Sequence, residues 1–201
     1  TSIGAAWATL KYAIETGITP DTTNGDQINI YAPSGTPDNY TTGDPAITMS
    51  SYATDATATA PLIIRGVAAD GSTPAIAYIT CASRYLVNDT VFDYSRWINI
   101  SVVGGSATGL WQMDRSTLVL GCLFDNTAGG NALEIDGAGS SYVMHSDIQG
   151  ASGNASLVSM GSAGYLIGNY IHEQTNSCRG LTSGQIVIGN IFHMNTTNAS
   201  G

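Results

Sequence analysis

One apolar phrase recurs through the second half of this chain: LVLGCLF at 118–124, YVMHSDI at 142–148, YLIGNYI at 165–171 and IVIGNIF at 186–192. Aligned on the second residue of each, the anchors Val119, Val143, Leu166 and Val187 lie 24, 23 and 21 residues apart. A near-constant period of this size marks a solenoid, in which each repeat buries its apolar face by stacking on its neighbours. Going back along the chain, WINISVV places an anchor at Ile98, LIIRGVA at Ile63 and QINIYA at Ile28, in steps of 21, 35 and 35.

The inside of the repeat predicts its elements. Five residues after the anchor stands a hydrophobe or small residue: Ala68, Val103, Phe124, Ile148, Ile171, Phe192. Three after it comes a small or turn-prone one: Gly66, Ser101, Cys122, Ser146, Asn169, Asn190. A strand, a one-residue bend and a second strand generate that spacing, with Asn suited to the bend because it tolerates the left-handed conformation. A third apolar patch precedes the later anchors, at Val91 and Phe92, Leu110 to Met113, Leu133 to Ile135, Leu157 to Met160, and Leu181. Three short strands per roughly 22 residues make one coil. The expectation is an all-β, right-handed parallel β-helix of about six or seven coils. The LxxLxLxxN frame of leucine-rich repeats is absent, and a sandwich has no need of an equivalent strand at constant spacing.

At 201 residues a single domain is expected over 1–201, with coils over 28–194. The two 35-residue steps are read as carrying insertions near 36–60 and 72–90. Trp7, Leu10 and Ile14 fall at i, i+3 and i+7 before Gly17, which predicts an amphipathic helix within 1–17 capping the first coil. The start TSIGAAWATL has no basic leader and the end NTTNASG no closing element, so the chain reads as a piece of something longer.

The order AWATLKYAIETG, GDQINIYAPSGTPDNY and then VIxGNxI-type coils resembles the pectate-lyase-like β-helix superfamily, most closely the β-helices of bacteriophage tailspikes, tail fibres and other virion appendages. The resemblance covers nearly the whole chain. It implies a structural virion component at the virion surface or outside the cell, associated as a trimer and touching other virion proteins. The same superfamily also holds glycan-degrading enzymes and adhesins that bind glycans without cleaving them, so fold alone does not choose among them.

Composition narrows the partners. Six Lys and Arg against 15 Asp and Glu argue against nucleic acid and against an anionic membrane surface, both of which need clustered cations. Three cysteines, Cys81, Cys122 and Cys178, in no CxxC spacing make neither a disulfide framework nor a zinc site, and no cofactor motif is present.

Strand alternation sets one face outward whichever register holds. Flanking the anchors are Trp97, Leu118, Leu120, Tyr142, Met144, Tyr165, Ile167, Ile186 and Ile188, so both faces of this strand are apolar. Either part of the chain folds over the outward stripe or it is a subunit interface; the second is the leading expectation. Six residues after the anchors lie Asp125, Gln149, His172 and His193, with Glu173 adjacent. Two stacked histidines suit a metal or a proton shuttle, and a plain solvated face accounts for the column equally. Asp93 and Asp114 share a repeat position 21 residues apart; stacked carboxylates match retaining glycosidases, and a surface cluster offset by Arg96 and Arg115 is the simpler account. Tyr31, Tyr40 and Tyr52 are the candidates for sugar stacking. The polygalacturonase and pectate-lyase catalytic sets are absent, so enzymatic activity has no support in the sequence.

Overall fold

The computed structural model describes residues 10–14, 21, 23–31, 38–40, 46–47, 56–82, 85–88, 93–105, 109–113, 116–128, 130–135, 140–150, 158–160, 164–172 and 185–193. Short parallel strands stack into three sheets that face a common interior, a parallel β-helix. The first sheet runs β1 (Asp26–Tyr31), β3 (Leu62–Val67), β6 (Ser95–Ile98), β9 (Leu118–Leu120), β12 (Ser141–Met144), β15 (Gly164–Ile167) and β17 (Ile186–Ile188) in that order. The second runs β2 (Asp38–Tyr40), β4 (Ala77–Ala82), β7 (Ile100–Gly105), β10 (Leu123–Asn126), β13 (Asp147–Gly150), β16 (Tyr170–His172) and β18 (Ile191–His193). A third, of β5 (Val87–Asn88), β8 (Gly109–Met113), β11 (Asn131–Ile135) and β14 (Val158–Met160), closes the tube.

The anchors stack as the period predicts, with one slip. Val119, Val143, Leu166 and Val187 are successive register partners. Before them, however, the inward column is Ile28, Ile64 and Trp97, displaced by one residue from the expected Ile63 and Ile98. In LIIRG three adjacent residues are apolar and in RWINI two, and alternation cannot tell inward from outward there. A one-residue slip exchanges the faces. Trp97, expected outward, is therefore fully buried, whereas Ile63 and Ile98 are part-exposed.

Corners between the first and second sheets also differ from expectation. The left-handed residue is two places after the anchor, not three: Asn99, Gly121, His145, Gly168 and Gly189 have φ between 50° and 64°. Glycine holds this conformation without the Cβ penalty that Asn99 and His145 carry. The next residue is thereby turned inward, and from Cys122 onward its side chain ladders along the buried corner. Asn169 Nδ2 donates to the Val143 carbonyl at 2.9 Å, while its Oδ1 accepts from the Ser146 N–H at 3.0 Å. Asn190 repeats both contacts one level on, with Nδ2 to the Leu166 carbonyl at 2.8 Å and Oδ1 from the Asn169 N–H at 2.8 Å. Further back, Ser146 Oγ accepts from the Cys122 N–H, and the Cys122 thiol donates to the Trp97 carbonyl at 3.4 Å. These side chains satisfy backbone groups that the bend removes from the sheet ladders.

Inside, Trp97 of the first sheet, Trp111 of the third and Phe124 of the second meet edge to face, with centroids 4.6 and 5.3 Å apart. All three are fully buried. Burial of rings this large dominates the local packing energy, and edge-to-face pairs add about 0.5–1.5 kcal/mol each. Trp97 Nε1 donates to Ser95 Oγ at 3.0 Å, and Ser95 Oγ lies 3.2 Å from Thr117 Oγ1.

Two expectations about the early coils change. Of the cap helix over 1–17, the described residues hold one helical turn, α1 (Leu10–Tyr12). Helical periodicity found residues that pack, since Leu10, Ala13 and Ile14 are buried in the core cluster. The rest of that segment, 1–9 and 15–17, lies outside the described residues. The segments 36–60 and 72–90 are not simple insertions. They contain β2, β4 and β5, and β4 pairs in register with β7 from Ala77↔Ile100 to Ala82↔Gly105.

Candidate functional site

Two outward faces result from this stacking. On the first sheet, one outward column is Gln27, Ile63, Arg96, Leu118, Tyr142, Tyr165 and Ile186. The second is Asn29, Arg65, Ile98, Leu120, Met144, Ile167 and Ile188. From β9 onward both columns are apolar, and each residue named there is part-exposed or exposed. Tyr142 and Tyr165 lie stacked, with centroids 4.5 Å apart and planes 13° from parallel. At the other end the face is polar: Arg65 Nε donates to Asn29 Oδ1 at 2.9 Å. The apolar stripe thus runs from Ile98 to Ile188, and Trp97, placed on it by the sequence, faces the core, with Arg96 in the outward column beside Leu118. With strands at ~4.8 Å it is about 20 Å long.

The second sheet carries the polar column. Asp125, Gln149, His172 and His193 are register partners on successive strands, as the repeat predicts. Gln149 Nε2 donates to Asp125 Oδ2 at 2.6 Å, linking β10 to β13. His172 Nε2 donates to Asp147 Oδ1 at 2.7 Å, linking β13 to β16. Tyr170 stacks on His172 at 4.1 Å, and its hydroxyl lies 3.4 Å from His193 Nδ1 on β18. Sequence reasoning missed Asp147 and Tyr170. They occupy the same outward face two residues before Gln149 and His172, a column whose members Leu123, Asp147, Tyr170 and Ile191 show no common chemistry to draw attention to it.

What this face can do chemically is modest. His172 is 7% exposed, its imidazole held between Asp147 and Tyr170, so the part of this face open to a polar ligand is Asp147, Tyr170 and His193. Among the described residues, no group of three His, Cys, Asp or Glu side chains comes together to hold a metal ion. His172 and His193 are adjacent, but the described side chains add no third ligand. Asp93 is part-exposed just before β6, while Asp114 lies outside the described residues, as do Arg115, Glu173, Cys178 and Tyr52. Tyr31 is part-exposed at the end of β1 beside Gly71, and Tyr40 is in β2. Cys81 and Cys122 are buried and in no disulfide.

Fold and faces together define the class: a parallel β-solenoid with one apolar and one polar outward sheet. Comparison with protein-family models, curated proteins and solved structures finds no match to this chain.

Proposed function

We propose that this chain is a structural β-solenoid that self-associates through the outward face of its first sheet, as a surface appendage or decoration of a bacteriophage virion, with a trimer as the favoured assembly. The observation that carries the association is the stripe of Leu118, Leu120, Tyr142, Met144, Tyr165, Ile167, Ile186 and Ile188 on four successive strands. A contiguous apolar face of this kind ordinarily marks an interface. A stripe about 20 Å long supplies the core of a standard interface, which buries about 800 Å² on each partner, and its polar flanks supply the rim. The virion placement draws on the sequence resemblance.

The test is the mass of the protein in solution. Wild type is expected to sediment as a discrete oligomer, and Leu120→Asp or Ile167→Asp as a folded monomer, because a desolvated carboxylate at the centre of such a patch costs several kcal/mol. Unchanged mass in both variants sinks the reading. A second reading, a glycan-binding or glycan-degrading virion protein, is favoured by the outward Asp125, Gln149, Asp147, His172 and Tyr170 face. Binding on a glycan array, or release of reducing or unsaturated sugar ends, would bring it forward.

A further inference from the structure

The outward faces of the first and second sheets carry complementary charge. Only six residues of the chain are Lys or Arg, yet the first sheet's outward columns include both Arg65 and Arg96, and no Asp or Glu. The two lie on neighbouring strands, offset by two places, since Arg65 pairs with Ile98 and Ile63 with Arg96. Arg65 is braced from below: Asn29 Oδ1 accepts from its Nε, and Asn29 Nδ2 donates to the Gly71 carbonyl at 3.3 Å. Among the described residues neither guanidinium has a carboxylate partner. Two like charges that close repel unless a counter-charge is supplied. The second sheet has the opposite balance. Asp125 and Asp147 face outward on β10 and β13, and its outward columns hold no Lys or Arg. The same columns present Tyr78, 54% exposed, Tyr170, 38% exposed, and the part-exposed Val103 and Leu123. On the third sheet the outward register of Asn88, Gln112, Glu134 and Ser159 is polar throughout.

We infer that the self-association proposed above, on which this rests, is heterologous: the first-sheet face of one copy packs on the second-sheet face of the next. Pairing two first-sheet faces brings no acid to either arginine, and with parallel axes it sets Arg96 against Arg96. The second sheet supplies both the carboxylates and an apolar surface, and the third lacks the apolar surface. A heterologous contact whose rotation closes makes a ring. Copies in a closed ring sit at equal height. Asp125 pairs with Val103, which belongs to the same coil as Arg96, so it lies one level on from that arginine. One level is ~5 Å, within the reach of an arginine side chain. Asp125 takes Gln149 Nε2 on one oxygen, and a carboxylate keeps further lone pairs for a guanidinium.

The experiment is sedimentation of the full chain as wild type, Arg96→Glu, Asp125→Arg and the two reversals combined. Each single reversal sets like charges across the contact and is expected to weaken association roughly tenfold or more. The combined variant restores opposite charges and should return to within about threefold of wild type. Tyr78→Asp, at an exposed position on the second sheet, should also dissociate the oligomer, and it serves if Asp125→Arg fails to fold. A combined variant that associates no more tightly than the single ones overturns the inference, and so does a Tyr78→Asp protein of wild-type mass. In either case wild type is still an oligomer that Leu120→Asp breaks, so the association through the first sheet stands without its assigned partner face. A monomeric wild type overturns both proposals, and only that result removes the first.

Discussion

At Cys122 burial decides the chemistry of a thiol. Desolvation in the packed corner pushes its pKa from 9.0 up to about 12, overcoming the neighbouring backbone hydrogen bonds that act in the opposite sense. The reactive thiolate is therefore absent at neutral pH. Iodoacetamide at pH 8 should leave Cys122 unmodified in the folded protein and label it after denaturation, as read by peptide mass. Because the folded pKa is raised, the stabilisation is complete below pH 9 and is lost as pH rises towards 12. Denaturant midpoints over that window should fall more for wild type than for Cys122→Ala. Asp70 shows the opposite shift on the surface. The Thr73 hydroxyl first, then the Ser72 and Thr73 N–H groups, hold its pKa down from 3.8 to about 2. This turn keeps its carboxylate contacts above pH 4 and loses them as pH falls through about 2. Carboxyl titration by NMR should show the Asp70 pKa rising towards 3.8 in Thr73→Ala.

Strands of two to six residues have little stability alone, and the corners determine whether they hold register. Asn169 is the test case, being 1% exposed and bound to both neighbouring levels. Replacing it with alanine strands the Ser146 N–H and the Val143 carbonyl in a buried corner, at about 1–3 kcal/mol for each group. Equilibrium denaturation should show a loss of roughly 2–4 kcal/mol for Asn169→Ala. Asn190→Ala should cost less, since its level is more open to water. A loss below about 0.5 kcal/mol for Asn169→Ala would show that water replaces the ladder. The asparagines were visible in the sequence, but their role was not. A positive-φ residue was anticipated where Asn169 and Asn190 stand, and the turn belongs instead to Gly168 and Gly189. The same composition serves either arrangement, and only the backbone path distinguishes a residue that makes the bend from one that braces it.

The whole molecule is a stack in which each level touches mainly the one above and the one below, so its stability is close to a nearest-neighbour sum. The largest fully buried side chains, Trp97, Trp111 and Phe124, meet in the middle levels, and exposure rises at β17 and β18. Amide hydrogen exchange should follow that gradient, slowest around Trp97 to Phe124 and fastest at Ile186 to His193. Uniform protection across all levels would mean that the stack opens as one unit. A chain with net charge −9 that keeps eight apolar side chains along one outward face carries, in that stripe, the feature on which the proposed side-to-side association rests.

A repeating period was sufficient to establish the solenoid, its stacking order from Val119 onward and the outward column of Asp125, Gln149, His172 and His193. Equal spacing along a chain that coils at constant pitch becomes vertical neighbourhood in space. Three matters depended on tertiary structure. Whether Trp97 or Ile98 faces the core was settled by which side chain fits against Trp111, since two adjacent apolar residues give alternation nothing to read. The presence of β4 and β5 within a supposed insertion was settled by pairing with neighbours, because short strands gain their stability across the sheet. The partnership of Asp147 with His172 was settled by level-to-level distance, for nothing in a linear spacing of 25 residues marks those two as a pair.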